Sequence, residues 1–239
     1  MEEKILKDIR SHRDERQGTV LGRFFKTGKG QYGEGDIFWG LDVPTSRKIA
    51  ERYTHISRKD LSKLLKNEVH EVRFIALLIL VAQYKKAKGN SDQKEKEELV
   101  KFYLDNTKYV NNWDLVDSSA HQILGDLLLD KNDIEKRILL TLSHSKDLWE
   151  QRIAIVATFA FIRRGDLDWT YKIIDTLDKH THDLIHKACG WMLREAGKKD
   201  EKRLKEYLDR KAATLPRTML RYAIEKFPES ERLEYLNKK

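Results

Sequence analysis

Apolar residues recur at helical spacing along most of the chain from Pro44 onward. Segment 70–84 carries an apolar stripe wide enough for a buried helix, formed by Val72, Phe74, Ile75, Leu78, Ile79, Val81 and Ala82. The same spacing predicts further helices over 113–129, 149–162, 184–193 and 216–227, with more polar ones over 93–104, 133–142, 167–177 and 202–208. The three prolines stand where helices can begin, a position that tolerates proline. The pattern predicts an all-α fold.

The apolar helices share an internal alignment that indicates a repeat. Its second position is occupied in turn by Arg73, Asp117, Arg152, Lys187 and Arg217, and the intervals are 44, 35, 35 and 30 residues. Helix pairs of this period are typical of HEAT or armadillo α-solenoids, in which neighbouring pairs stack to bury their apolar faces. We therefore predict a single HEAT-like repeat domain over residues 1–239, whose concave side is lined by equivalent helices.

The aligned position is basic in every helix except the one that carries Asp117. On the concave side it would form a basic track that suits a phosphate backbone, which makes Arg73, Lys187 and Arg217 candidate DNA-binding residues. The alternative is that these side chains form hydrogen bonds between repeats. The sequence leaves both interpretations open.

Tryptophans accompany the aligned position. Trp113 precedes Asp117 by four residues, so the two share a helix face, and Trp191 follows Lys187 by four. Aromatic rings beside a basic track can stack on bases or sugars, whereas a tryptophan in the core only fills space. The repeated pairing favours the first interpretation.

Residues 21–41 form an aromatic, basic segment that holds six of the twelve glycines; we call it the insert. Its glycine spacing matches neither a P-loop nor a dinucleotide-binding fingerprint. We predict a β-hairpin here, flanked by Phe24-Phe25-Lys26 and Ile37-Phe38-Trp39, with Lys26 and Lys29 near a tip that could enter a DNA groove. The alternative is a surface connection without regular structure.

Composition narrows the class of protein. The 47 Lys and Arg exceed the 39 Asp and Glu, and a net charge of +8 favours an anionic partner such as nucleic acid. One cysteine, Cys189, excludes an internal disulfide framework and a cysteine-rich zinc site. No apolar run approaches the roughly 18 residues of a membrane span, and the acidic N-terminus lacks a signal sequence, so we expect a cytoplasmic protein.

Other candidate chemistry lacks partners. His182 and His186 are four residues apart and could share a metal ion, but no third ligand stands out, so no metal is predicted. Ser118 and Ser119 follow Asp117 without a histidine at the spacing that a hydrolase triad needs.

Three motifs carry a resemblance to a known family. They are Val110-Asn-Asn-Trp-Asp-Leu-Val-Asp117, Trp149-Glu-Gln-Arg-Ile-Ala-Ile155 and Lys187-Ala-Cys-Gly-Trp-Met-Leu-Arg-Glu195. Together, and in this order, they resemble the DNA alkylation repair family, the AlkD-like HEAT-repeat alkylpurine DNA glycosylases. The likeness extends over nearly the whole chain.

The resemblance implies a monomer that grips duplex DNA in a basic concave cleft. Active members hydrolyse the N-glycosidic bond of N3- or N7-alkylated purines without flipping the base into a pocket, unlike other glycosylases. By motif, Trp113 and Trp191 would be aromatic walls, Asp117 the catalytic carboxylate and Arg152 the cation on the phosphate side. Water would be the nucleophile, so no cofactor is expected. A carboxylate there would stabilise the oxocarbenium-like sugar.

Two departures from the family pattern leave an alternative. Active relatives tend to place a tyrosine where this chain has Arg23-Phe24-Phe25-Lys26, and the glycine-rich insert resembles that of a side branch with an extra hairpin. Such proteins would bind branched or distorted DNA without excising a base. A third hypothesis, a protein-binding scaffold, fits the basic track least well.

Overall fold

A computed structural model describes residues 1–238. The predicted domain ends at Lys239, which lies outside the described residues. The elements over residues 1–238 are helices, and the prediction of an all-α fold is confirmed. Contacts divide the chain into two compact units, the first over residues 1–119 and the second from Ala120 onward.

The first unit is built around one long buried helix. Its elements are α1 (Glu2–Arg10), α2 (Glu15–Phe24), α3 (Val43–Arg52), α4 (Arg58–Leu65), α5 (His70–Gly89), α6 (Gln93–Asp105), a 3₁₀ turn (Thr107–Tyr109) and α7 (Trp113–Ser119). Helix α5 packs against α3, α4, α6 and α7. These neighbours cover α5 on nearly every side, and the helix is therefore apolar on most of its faces. This burial explains its long run of apolar residues.

The second unit has a central helix of its own. Its elements are a π-helical turn (His121–Gly125), α8 (Asp126–Leu128), α9 (Asp133–Lys136), α10 (Ile138–Ser143), α11 (Leu148–Ala157), α12 (Phe159–Arg164), α13 (Asp168–Leu177), α14 (Asp183–Gly197), α15 (Glu201–Lys211), α16 (Arg217–Ala223) and α17 (Glu229–Asn237). Helix α14 packs against α11, α13, α15 and α16. It approaches α16 closely at Gly190, where an added Cβ would lie 2.5 Å from the carbonyl oxygen of Met219.

Three predicted helices are interrupted. Segment 133–142 is divided at Arg137, between α9 and α10. Segment 149–162 is divided at Thr158, whose hydroxyl donates to the carbonyl of Ile155 at 2.7 Å and so competes with the helical backbone pattern. Segment 113–129 contains the π-helical turn, which ends at Gly125. A Cβ at Gly125 would lie 2.2 Å from the carbonyl oxygen of Ala157, so this turn lies directly against the backbone at the end of α11.

The predicted β-hairpin over residues 21–41 is wrong. Residues 1–238 contain no strand, and the insert forms one isolated parallel bridge, between Ile37 and Val69. Phe24 ends α2 instead of flanking a hairpin. The glycine-rich part is closed by turn hydrogen bonds, among them Gly33 N–H to the carbonyl of Lys26 at 3.2 Å.

The insert is held by a side chain of α5 rather than by a partner strand. The buried carboxylate of Glu71 accepts hydrogen bonds from the backbone N–H groups of Trp39, Gly40 and Leu41, at 3.0, 2.7 and 3.2 Å. Gly40 has a φ of +89°, and an added Cβ would lie 2.0 Å from the carbonyl oxygen of Asp14. These three N–H groups therefore have a carboxylate acceptor where a hairpin would supply carbonyls.

Two further properties bear on function. None of the helices within residues 1–238 is long and apolar enough to cross a membrane. Cys189 is fully buried in α14, and burial raises the pKa of its thiol above the ordinary range.

Candidate functional site

Helix α7 carries the first two predicted site residues. The side-chain oxygen of Asn112 accepts from the backbone N–H of Trp113 at 2.8 Å, which satisfies a free donor at the start of the helix. Trp113 and Asp117 are both half-buried and four residues apart, so they lie on one face. Burial, with the charge of Asp117 as a smaller cause, raises the pKa of Tyr103, so this phenol stays neutral beside the carboxylate.

The ring of Trp113 lies at the end of an aromatic cluster supplied largely by α2 and the insert. It stacks on Phe25 with ring centres 5.1 Å apart and planes 13° from parallel. Phe24 meets it edge-on at 6.0 Å and is 63% exposed. Behind it, Phe25 stacks on Phe38 at 4.9 Å. The orientation of Trp113 therefore depends on the insert.

Asp36, in the insert, is the centre of a buried polar network. Its Oδ1 lies 2.6 Å from Nη2 of Arg73, and its Oδ2 lies 3.1 Å from Nδ1 of His70 and 3.2 Å from Nδ2 of Asn112. Burial opposes ionisation of this carboxyl, but the hydrogen bond from His70 and the charge of Arg73 outweigh it and lower its pKa. The buried carboxylate of Asp36 thus accepts hydrogen bonds from three side chains.

His70 extends this network to α7. Its Nε2 lies 2.8 Å from Oδ2 of Asp114, and Oδ1 of Asp114 accepts from the backbone N–H of Leu115 at 2.9 Å. Burial would lower the pKa of His70, but the charge and hydrogen bond of Asp114, with the hydrogen bond to Asp36, raise it to about 9. The imidazole is therefore cationic at neutral pH and donates from both nitrogens.

Arg73 is part of this network and is only 4% exposed. Besides Asp36, its guanidinium donates to the backbone carbonyls of Asn67 and Glu68, at 3.0 and 3.1 Å. In this arrangement the side chain holds the insert and the α4–α5 connection to α5, and it presents no free edge to a phosphate. The structure thus places this candidate DNA-binding residue in an internal hydrogen-bonding role.

Arg152, in α11 of the second unit, has a comparable position. It is 5% exposed, and its Nη1 donates to the backbone carbonyl of Leu184 at 2.5 Å. Leu184 lies in the first turn of α14, the helix that carries Lys187 and Trp191. Arg152 therefore fixes the start of that helix.

The other predicted residues of the second unit are more accessible. Trp191 is half-buried and lies against Phe159, with ring centres 5.6 Å apart. Lys187 forms an ion pair with Asp183 one turn earlier, at 2.7 Å. Arg217 is exposed and donates to the carbonyl of Leu236 at 2.5 Å. Trp191 and Lys187 thus share α14, whereas Arg217 belongs to α16.

Lys26 and Lys29 are both exposed on the insert. Lys26, the second residue after α2, adopts a positive φ of +54°, and its ammonium lies 5.9 Å from the ring centre of Tyr32. The two lysines lie in a turn rather than at a hairpin tip, but they remain available to an anionic partner.

The two histidines considered for metal binding are engaged in helix capping and backbone contacts. The Nδ1 of His182 accepts from the backbone N–H of Leu184 as α14 begins, and Nε2 of His186 contacts the carbonyl oxygen of His180. Within residues 1–238 no three His, Cys, Asp or Glu side chains are grouped so that they could hold a metal ion.

Sequence reasoning missed the residues that organise this site, namely Asp36, His70, Glu71 and Asp114. One signal was available for two of them. His70 and Glu71 are ionisable residues immediately before a long apolar run, and such residues need partners if the helix is buried. The identity of those partners, 30 or more residues away in sequence, was not visible.

A comparison with family models identifies the family. The family described as "DNA alkylation repair enzyme" matches residues 5–227. Among solved structures, a "Predicted DNA alkylation repair enzyme from Enterococcus faecalis" superposes with a TM-score of 0.67 at 16% identity, over 91% of this chain and 98% of that chain. AlkD2 from Streptococcus mutans superposes with a TM-score of 0.56 at 16% identity, over 90% and 99%.

No curated protein matches the chain. The family match alone covers most of the chain, and the two solved structures show that the fold is shared. The chain belongs to the DNA alkylation repair family, as the three motifs indicated.

Proposed function

We propose that this protein is a DNA glycosylase that hydrolyses the N-glycosidic bond of N3- and N7-alkylated purines. One observation carries the proposal. In a chain of the DNA alkylation repair family, α7 presents a half-exposed tryptophan and a half-exposed carboxylate, Trp113 and Asp117, on one face.

The chemistry assigns a role to that carboxylate. An alkylated purine already carries a positive charge, so it leaves with little need for protonation, and charge develops on the deoxyribose instead. Asp117 stabilises this oxocarbenium-like centre and orients the attacking water. Trp113 and Trp191 supply aromatic faces that attract cationic groups.

Basic residues hold the DNA in this proposal. Lys187, Arg217, Lys26 and Lys29 contact phosphates along a basic concave cleft of a HEAT-like solenoid, a single domain that acts as a monomer on duplex DNA. The damaged base stays in the duplex rather than entering a pocket. Arg152 acts through the start of α14, where it fixes the helix of Trp191, because its buried guanidinium already binds the carbonyl of Leu184. No cofactor takes part.

The test is release of 7-methylguanine from a methylated duplex at low salt. We expect release by the wild type and a loss of at least about 100-fold in Asp117→Asn, since one electrostatic stabiliser of a transition state contributes about that much. Asp130→Asn is the matched control, because Asp130 is an exposed turn residue. No release by the wild type, or equal release by Asp117→Asn, contradicts the proposal.

A second candidate function is favoured by the insert. Lys26 and Lys29 are exposed beside Phe24, a combination that suits binding of branched or distorted DNA without excision. We expect Lys26→Ala/Lys29→Ala to weaken binding to a forked DNA. The slope of the logarithm of the binding constant against the logarithm of the salt concentration should fall by the amount that about two phosphate contacts contribute. The charge-matched control is Lys94→Ala/Lys199→Ala, which removes two other exposed lysines. Fork binding by a protein without excision activity would favour this function over the first.

A further inference from the structure

His70 is a buried, ionisable side chain that the proposed reaction does not use. It is 2% exposed, and each of its two ring nitrogens faces a carboxylate from a different segment. Nδ1 faces Asp36 of the insert at 3.1 Å, and Nε2 faces Asp114 of α7 at 2.8 Å. The side chain therefore links three parts of the first unit: the insert, α5 and the first turn of α7.

The same ring is part of the aromatic cluster. It stacks on Phe38 at 4.5 Å with planes 21° apart, and it lies 5.0 Å from Phe25. Phe25 in turn stacks on Trp113. A movement of the imidazole can therefore reach Trp113 by two routes, through the ring of Phe25 and through the adjacent residue Asp114.

We propose that His70 is a positioning residue: its imidazolium ties Asp36 to Asp114 and thereby fixes the ring of Trp113 and the start of the helix that carries Asp117. The importance of that positioning for catalysis rests on the proposed function. The coupling between His70 and Trp113 does not.

The charge of the imidazole is essential to this role. An imidazolium donates from both nitrogens, whereas a neutral imidazole donates from one, so its other lone pair would face a carboxylate. The charged groups that face the ring are Asp36 from the insert, Asp114 from α7 and Arg73 from the same helix. Two carboxylates against one guanidinium favour the cation, in agreement with a pKa of about 9. Loss of the proton removes one of the two links.

A salt bridge that only stabilises the fold would behave differently. It would lower the free energy of unfolding when broken, but the environment of the Trp113 ring in the folded protein would not follow the protonation of His70. The test must therefore follow Trp113 itself, in a folded protein and without substrate.

The experiment is a pH titration by ¹⁵N NMR of the tryptophan indole groups, with the Trp113 signal assigned from Trp113→Phe. We expect the Trp113 signal to move with a midpoint near pH 9, the same midpoint as the imidazole signals of His70. In Asp114→Asn one carboxylate is lost, and both midpoints should fall together by about one pH unit. Asp36→Asn provides the same test from the insert side if Asp114→Asn does not fold.

His55→Gln is the control, because His55 is an exposed histidine of the same unit. Its Trp113 titration should equal that of the wild type. A Trp113 signal that stays constant while His70 titrates overturns the proposal. So does a Trp113 midpoint that Asp114→Asn leaves unchanged.

Excision measured over the same pH range separates the two proposals. Coupled titration together with a single-turnover excision rate that falls through the same midpoint supports both of them. Coupled titration without any excision supports the role of His70 and overturns the glycosylase. Excision with an uncoupled Trp113 signal supports the glycosylase and overturns the role of His70.

Discussion

Trp113 and Trp191 have the same proposed role, but different forces hold them in place. Trp113 begins a helix that is tied to α5 by the pair of Asp114 with His70 and to the insert by the hydrogen bond from Asn112 to Asp36. Its ring is stacked on Phe25. Trp191 lies in the middle of α14, against the half-buried ring of Phe159 at 5.6 Å. Its helix is located by close packing at Gly190 and, in its first turn, by the hydrogen bond from Arg152 to the carbonyl of Leu184.

This difference has a physical consequence. Apolar packing changes little with pH. A network of buried carboxylates and cations is destabilised when one member changes its charge, because its partners are then left buried without a counter-charge. The first unit should therefore respond to charge substitutions and to alkaline pH, and the surroundings of Trp191 should respond mainly to side-chain volume.

The largest expected effect is that of Asp36→Ala. The substitution leaves Arg73 and His70 buried without their shared carboxylate, and breaking a buried ion pair from one side costs about 3–5 kcal/mol of unfolding free energy. Urea denaturation measures this loss. The comparison variant is Arg52→Ala, which breaks a half-exposed pair with Asp8 and should cost under about 1 kcal/mol. Equal costs would show that the network does not anchor the insert.

The next effect is a pH dependence assigned to His70. Its pKa is about 9 in the folded protein against an ordinary value of 6.5, so its contribution is fully present below pH 6.5. That contribution, about 3 kcal/mol for a shift of this size, is lost as the pH rises from 6.5 through 9. Urea denaturation of the wild type and of His70→Gln checks this. The difference between them should shrink across that range, and a constant difference would contradict it.

The smallest effect concerns the second unit. Phe159→Leu removes the ring contact with Trp191 but keeps an apolar side chain, so we expect a loss of about 1 kcal/mol. Phe25→Leu is the matched variant in the first unit, and because Phe25 is buried against Trp113, Phe38 and His70, its loss should be about twice as large. Urea denaturation measures both losses of unfolding free energy. A larger cost for Phe159→Leu would reverse the comparison.

Much of the fold was visible in the sequence because the main helices are local structures with a strong period. The apolar run after His70 predicted the central helix of the first unit, and Pro216 correctly marked the start of α16. The motifs predicted the family for the same reason, since each one is a short contiguous segment.

The insert shows where this approach failed. Its glycines and flanking aromatic residues match a hairpin locally, but the backbone of residues 39–41 finds its acceptor in Glu71, about 30 residues away in sequence. Arg73 and Arg152 also have partners that a local pattern does not predict. They share the aligned position of the predicted repeat, yet Arg73 binds a carboxylate from the insert and Arg152 binds a backbone carbonyl at the start of α14. No periodicity indicates which partner folding will supply.

The concealment of Cys189 has a chemical consequence for a protein of this family. Electrophiles that methylate purines also methylate thiolates, so a protein of a DNA alkylation repair family meets reagents that attack thiols. The one thiol of this chain is fully buried and kept protonated, which makes it a poor nucleophile. The protein therefore offers no reactive cysteine thiolate to the agents that methylate DNA.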